Sequence, residues 1–232
     1  TPGGEGKMGF FDRVRSMFSP APSDALPAKT RDVFMAVVRE SEGANQLEDA
    51  LTPTGPGEVE LPDGRRIMHD AAWWQFVGDI HVRFVFDGPS TMMGAMREDL
   101  PGLGVASVDD ALALALFNIH RVYGPPAATP WQDGVFIVSG GSPDLDSSYF
   151  LDRDFWREEA AKHLAGGLVV AVPKRGGLLF TPRANEAAVG LMRANVAGLF
   201  LSSEQMRVSS ALYLFQDGKW SVFQPPIAVT DA

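Results

Sequence analysis

Residues 168–180 read Leu-Val-Val-Ala-Val-Pro-Lys-Arg-Gly-Gly-Leu-Leu-Phe. A valine-rich apolar run stops at Pro173, bends through two cations and two glycines, and restarts as a second apolar run. Short continuous apolar runs bounded by turn residues mark strands buried on both faces. So tight a bend joins its strands in antiparallel order, since a parallel partner needs a crossover of about a dozen residues or more. The segment predicts a central hairpin inside a sheet, and the rest of the chain has to fold around it.

The remaining pattern mixes hairpins with helices. Residues 30–40 place Val33, Phe34, Val37 and Val38 at helical spacing and predict a helix. Residues 58–61 and 65–69 flank Pro62-Asp63-Gly64 and predict a hairpin. Residues 80–86 alternate Ile80, Val82, Phe84 and Phe86 with His81, Arg83 and Val85, which predicts a strand with one face inward and a largely polar face outward. Ser107 and Asp110 open a helix that Gly124 stops. Residues 134–139 and 147–151 read as a strand pair, and Asp152 or Asp154 starts the next helix. Thr181-Pro182 predicts the start of a helix running to about residue 201. Residues 210–215 and 219–223 form a last hairpin turning at Asp217-Gly218. No regular β-α-β alternation is present. The fold class expected is α+β, with a largely antiparallel sheet of hairpins and helices packed on it.

With 232 residues, 45% of them hydrophobic, the chain is long enough for one domain with a real core. Residues 1–7 look like a cloning remnant. Residues 8–29 combine an N-terminal amphipathic helix, carrying Phe10, Phe11, Val14, Met17 and Phe18, with a Pro/Ser linker. Residues 30–224 form the domain and 225–232 a loose tail. The absence of cysteine excludes disulfides and thiolate metal sites and fits a cytoplasmic location. No apolar run approaches the roughly 20 residues needed to span a bilayer. Membrane contact through residues 8–18 is the lesser reading, because only two basic residues support it. The formal net charge of −9 argues against a nucleic-acid partner and suits a protein partner with a basic surface.

No phosphate-binding loop, dinucleotide fingerprint, nucleophile elbow or zinc-protease pair occurs, so no cofactor or metal is expected. Asp144, Asp146, Asp152 and Asp154 lack the glycine and the terminal glutamate of a calcium loop, and turn-making and helix capping account for them. Four kinds of candidate remain. Lys174 and Arg175 sit beside glycines whose exposed N–H groups could form an anion-binding nest. Arg121, at the end of its helix, adds a third positive charge, with Asn118 one turn before it. The pair Trp73-Trp74 offers a stacking platform or interface anchor, with one of the two expected in the core. Asp79, His81, His120 and Arg175 would make a hydrolase or transferase site if they converge.

The second half of the chain resembles the DUF1444 (UPF0354) family of bacterial proteins over about residues 78–223. The resemblance rests on the strand at 80–86 and on Asn118-Ile119-His120-Arg121, similar to a family Asn-Leu-Arg-Arg ending. It rests also on Tyr149-Phe150-Leu151 leading into Phe155-Trp156, and most of all on residues 168–180, similar to Val-Val-Ala-Val-Pro-x-Arg-Asp-x-Leu-Leu-Phe. Gly176 stands where the family pattern has its acidic residue, and the loop at 124–147 is long and proline-rich. The resemblance implies fold and a bacterial cytoplasmic setting rather than a mechanism. The function expected is a non-enzymatic binding protein acting on a protein or a small anionic ligand, with Asn118, Arg121, Lys174 and Arg175 as ligand candidates and Trp73 and Trp74 as interface candidates. The alternatives are an immunity protein that neutralises a basic toxin, and the hydrolase or transferase.

Overall fold

The computed structural model describes residues 26–41, 43–47, 49–60, 63–163 and 166–227. The readings for residues 1–7, for the amphipathic helix at 8–18 and for the end of the tail lie outside them. The chain is α+β, and every strand pair is antiparallel. Strands β1 (Phe34–Glu40), β2 (Thr52–Pro53), β5 (Trp73–Gln75), β6 (Ile80–Asp87) and β7 (Met92–Gly94) make one sheet, in the order β1-β6-β5-β2 with β7 also on β6. Strands β3 (Gly57–Glu60) and β4 (Arg66–His69) form the separate first hairpin. The six-stranded sheet runs β13-β12-β10-β11-β9-β8, from β8 (Ala127–Gln132), β9 (Val135–Ser139), β10 (Leu168–Lys174), β11 (Gly177–Pro182), β12 (Leu212–Gln216) and β13 (Lys219–Gln224). The helices are α1 (Val108–Tyr123), α2 (Arg153–Lys162) and α3 (Glu186–Ser202). Among the described residues no single helix is long and apolar enough to cross a membrane.

The hairpin at 168–180 lies in the middle of the six-stranded sheet, as its composition predicts. Residues 168–173 are all buried, because β10 has a strand on each edge and a layer on each face. Alternation divides its side chains. Val169 and Ala171 join Ala188, Val189, Met192 and Val196 of α3. Leu168, Val170 and Val172 enter the main core, which runs continuously into the first sheet and includes Trp156, Phe180 and Tyr213. Local chemistry also places the caps and the last turn. The Asp110 N–H donates to Ser107 Oγ at 3.1 Å, and the Phe155 N–H to Asp152 Oδ1 at 3.1 Å. Asp217 and Gly218 have φ of 52° and 74°, the left-handed pair that a tight two-residue hairpin needs.

Four expectations are overturned. Residues 30–40 are not a helix but a short 3-10 turn (Arg31–Val33) followed by β1. Phe34 to Val38 are all buried, so apolar residues occur on both faces and imitate a helical period. The β-branched pair Val37-Val38 favours the strand. Residues 147–151 are not a strand either. They belong to a 3-10 segment (Asp146–Leu151) wedged against β1, β9, β10 and β11 and buried at every position. The partner of β9 is instead β8, drawn from the stretch expected to be loop. Pro130 is tolerated there because β8 is the sheet edge. Thr181-Pro182 remain in β11, and α3 starts after Asn185, whose Oδ1 accepts the Ala188 N–H at 3.1 Å. Finally, the polar face of β6 does not point to solvent. His81 is buried and Arg83 half-buried.

The turn at 174–177 is likewise held in place. The Arg175 N–H donates to the Met206 carbonyl and its own carbonyl accepts the Ser147 N–H, both at 3.0 Å. A Cβ on Gly176 would stand 2.7 Å from the Pro143 carbonyl oxygen. This contact leaves no room for a side chain at the position unless Pro143 shifts. Gly176→Asp is expected to destabilise the fold by about 1–3 kcal/mol, the usual effect of overpacking. Urea unfolding checks this, and an unchanged midpoint would mean that the loop at 142–144 moves aside freely.

Candidate anion-binding cleft

Alternation along β6 puts His81, Arg83, Val85 and Asp87 on one face of the first sheet. Register supplies their neighbours. Arg39 of β1 lies opposite His81 and Val37 opposite Arg83, while Trp73 of β5 flanks Arg83 on the other side. The reverse face carries Phe34, Phe84 and Phe86 in ring contact within the core. From Arg83 to Asp87 this face is the floor of a cleft of about 830 Å³. Arg175 overhangs it from the β10–β11 turn, with Asp144 and Ser142 beside it, and Tyr123 at the end of α1 closes another wall.

Three guanidinium groups therefore meet in one cavity. The Arg83 Nε–H donates to His81 Nε2 at 2.5 Å, which requires a neutral imidazole with that nitrogen unprotonated. Burial, then the charges of Arg83 and Arg39, push the His81 pKa down to about 4. The Arg83 guanidinium also lies 4.0 Å over the Trp73 ring. Arg39 donates to the Val38 carbonyl at 2.7 Å. Burial lowers its pKa to about 9, helped by Arg175 and Arg83 and opposed by Asp144. Burial and Arg175 lower that of Arg83. Among the described residues, none of these three arginines has a carboxylate oxygen within 4.0 Å. The Arg175 Nε is buried without a hydrogen-bond partner there.

Of the ligand candidates read from the sequence, only Arg175 lines this cleft. Asn118 is 2% exposed and donates to the Arg31 and Phe34 carbonyls at 2.7 and 2.8 Å, tying α1 to the start of β1. Arg121 donates to the Asp32 carbonyl at 2.6 Å in the same staple. Lys174 bridges to Arg207 on the backbone and does not line the cavity. The tryptophans divide. Trp74, 6% exposed, meets Phe84 edge-on in the core, whereas Trp73 is in the cleft wall.

The hydrolase residues are dispersed. His120 pairs with Asp152 at 2.7 Å in a separate surface groove that also holds Leu112 and Arg157. Asp79 lies at the head of β6 and accepts the Ser209 and Tyr213 hydroxyls, each at 2.6 Å. Burial raises the Asp79 pKa despite these two bonds. A group that holds its proton more tightly folded than unfolded lowers stability as pH rises from its unfolded value, 3.8, through its folded one. Asp79→Asn is expected to flatten that fall, as read from urea midpoints at successive pH values. A variant whose pH profile matches the wild type would contradict this.

Sequence reasoning missed Arg39, Arg83 and Asp144 as cleft residues. Only the alternation at 80–86 carried any signal, and it pointed Arg83 toward water. Comparison with protein-family models, with curated proteins and with solved structures finds no match.

Proposed function

We propose that this is a non-enzymatic binding protein that holds a small anionic ligand between Arg39, Arg83 and Arg175. The observation that carries the reading is the convergence of three half-buried arginines, none of them with a carboxylate oxygen within 4.0 Å among the described residues, against one nearby carboxylate, Asp144. Desolvating like charges side by side is unfavourable unless an anion joins them. Guanidinium forks bind carboxylate and phosphate oxygens bidentately, which offsets that penalty when the ligand is present. Binding is favoured over turnover because the His81 imidazole lies buried beside Arg83, with its Nε2 occupied by the Arg83 Nε–H, and does not line the cleft. In this reading residues 78–223 are a DUF1444-like part of the domain, and β1 adds Arg39 from outside that part. The absence of cysteine supports a cytoplasmic setting.

The test is calorimetric titration of the full chain with inorganic phosphate and with citrate at low ionic strength, alongside thermal unfolding. Saturable heat and a rise in Tm are expected, because a ligand at about 100 times its Kd stabilises the folded state by about 2.7 kcal/mol. Absence of both effects with either anion would overturn the reading.

A further inference from the structure

The floor of the cleft changes character along its length. An antiparallel strand rises about 3.4 Å per residue, so the floor advances roughly 14 Å from Arg83 to Asp87. Along that line it presents Arg83, then Val85, then Asp87, with His81 buried beyond Arg83. The neighbouring strands repeat the order. Arg39 is opposite His81, Val37 and Trp73 flank Arg83, Gly94 is opposite Val85, and Met92 is opposite Asp87. A mainly cationic end, where Asp144 offsets one of three arginines, thus passes through an apolar waist to an acidic end. Asp87 accepts the Tyr123 O–H, its one side-chain hydrogen-bond partner among the described residues. An ionised carboxylate has about four acceptor positions, so it retains capacity for further donors. The waist has room above it, since a Cβ on Gly94 would meet nothing within 4 Å.

Resting on the anion-cleft reading, we infer that the ligand is a phosphate monoester of a polyhydroxylated carbon body. Its phosphate lies on Arg39, Arg83 and Arg175, and its far hydroxyls donate to Asp87. The terminal oxygens of a phosphate monoester offer three acceptor sites to three guanidinium forks, whereas a monocarboxylate offers two oxygens and one charge. His81, neutral and bonded to Arg83, adds no further cation. The carbon face of a sugar-sized body fits over Val37, Val85 and Gly94, and ligand sites of this volume are ordinary for small metabolites. A second phosphate at the far end would meet Asp87 and be repelled.

The test titrates the full chain, Asp87→Asn and Gly94→Leu with inorganic phosphate, ribose 5-phosphate, glucose 6-phosphate and fructose 1,6-bisphosphate. For the wild type, at least one of the two sugar monophosphates is expected to bind tenfold or more tightly than inorganic phosphate, and more tightly than the bisphosphate. Asp87→Asn is expected to narrow both ratios toward one, and Gly94→Leu to narrow the first by filling the waist. If inorganic phosphate binds but neither monophosphate outbinds it, or if Asp87→Asn leaves the order unchanged, the inference about the far end fails and the anion cleft survives. If no phosphate compound binds, this inference fails, and the anion cleft fails with it where citrate does not bind either.

Discussion

Replacing Arg175 with alanine is expected to lower the affinity for inorganic phosphate by about ten- to a hundredfold, since a hydrogen bond to a charged group contributes about 1.5–3 kcal/mol. The side chain overhangs the cleft on a turn whose backbone is held from both sides, so its removal should leave the turn in place. Arg175→Lys should recover only part of the loss, because an ammonium is a point charge and not a planar fork. The ligand-free protein should respond in the opposite sense. Arg175 depresses the pKa of both Arg39 and Arg83, so its loss relieves like-charge repulsion and Tm in phosphate-free buffer should rise. Calorimetry and thermal unfolding of the same preparations check the two halves. Wild-type affinity in Arg175→Ala would remove the turn from the binding site.

Trp156→Ala is expected to destabilise the domain by about 3–5 kcal/mol, the range for truncating a fully buried aromatic. Trp156 is 0% exposed. Its ring lies 5.6 Å from those of both Phe180 and Trp220, so it joins α2 to the middle and the edge of the six-stranded sheet. Its Nε1–H donates to the carbonyls of Tyr149 and Phe150 at 2.9 and 3.2 Å, fixing the 3-10 segment beneath. Truncation opens a cavity and releases those two carbonyls together. A loss under about 1 kcal/mol in urea unfolding would show that the surrounding aromatic residues collapse into the space.

The parts of the fold legible in the sequence are those whose cause is local. Asp217-Gly218 makes a tight turn wherever the flanking strands lie, and Ser107 and Asp152 cap helices through their own neighbours. The segments misread are those whose pattern reflects burial. In residues 34–38 and 146–151 the apolar period carries no information, because every face of the backbone is covered. The candidate site was legible only at Arg175 and Trp73. Asn118 and Arg121 carry the right chemistry for an anion, but the packing of α1 against the start of β1 spends it on backbone carbonyls.

For residues 168–180 the sequence alone determined a buried antiparallel hairpin with a basic bend, since valine-rich runs around a glycine turn have few other folded uses. The tertiary structure decided what the bend does. It brought Arg175 over a floor carrying Arg39 and Arg83, residues 136 and 92 positions earlier in the chain. It also closed Gly176 against Pro143, leaving no space for a side chain there. The physical reason is that turns and caps arise from bonds between near neighbours. A cluster of like charges arises only where strand register and inter-sheet packing press distant residues together, and no local spacing encodes that meeting.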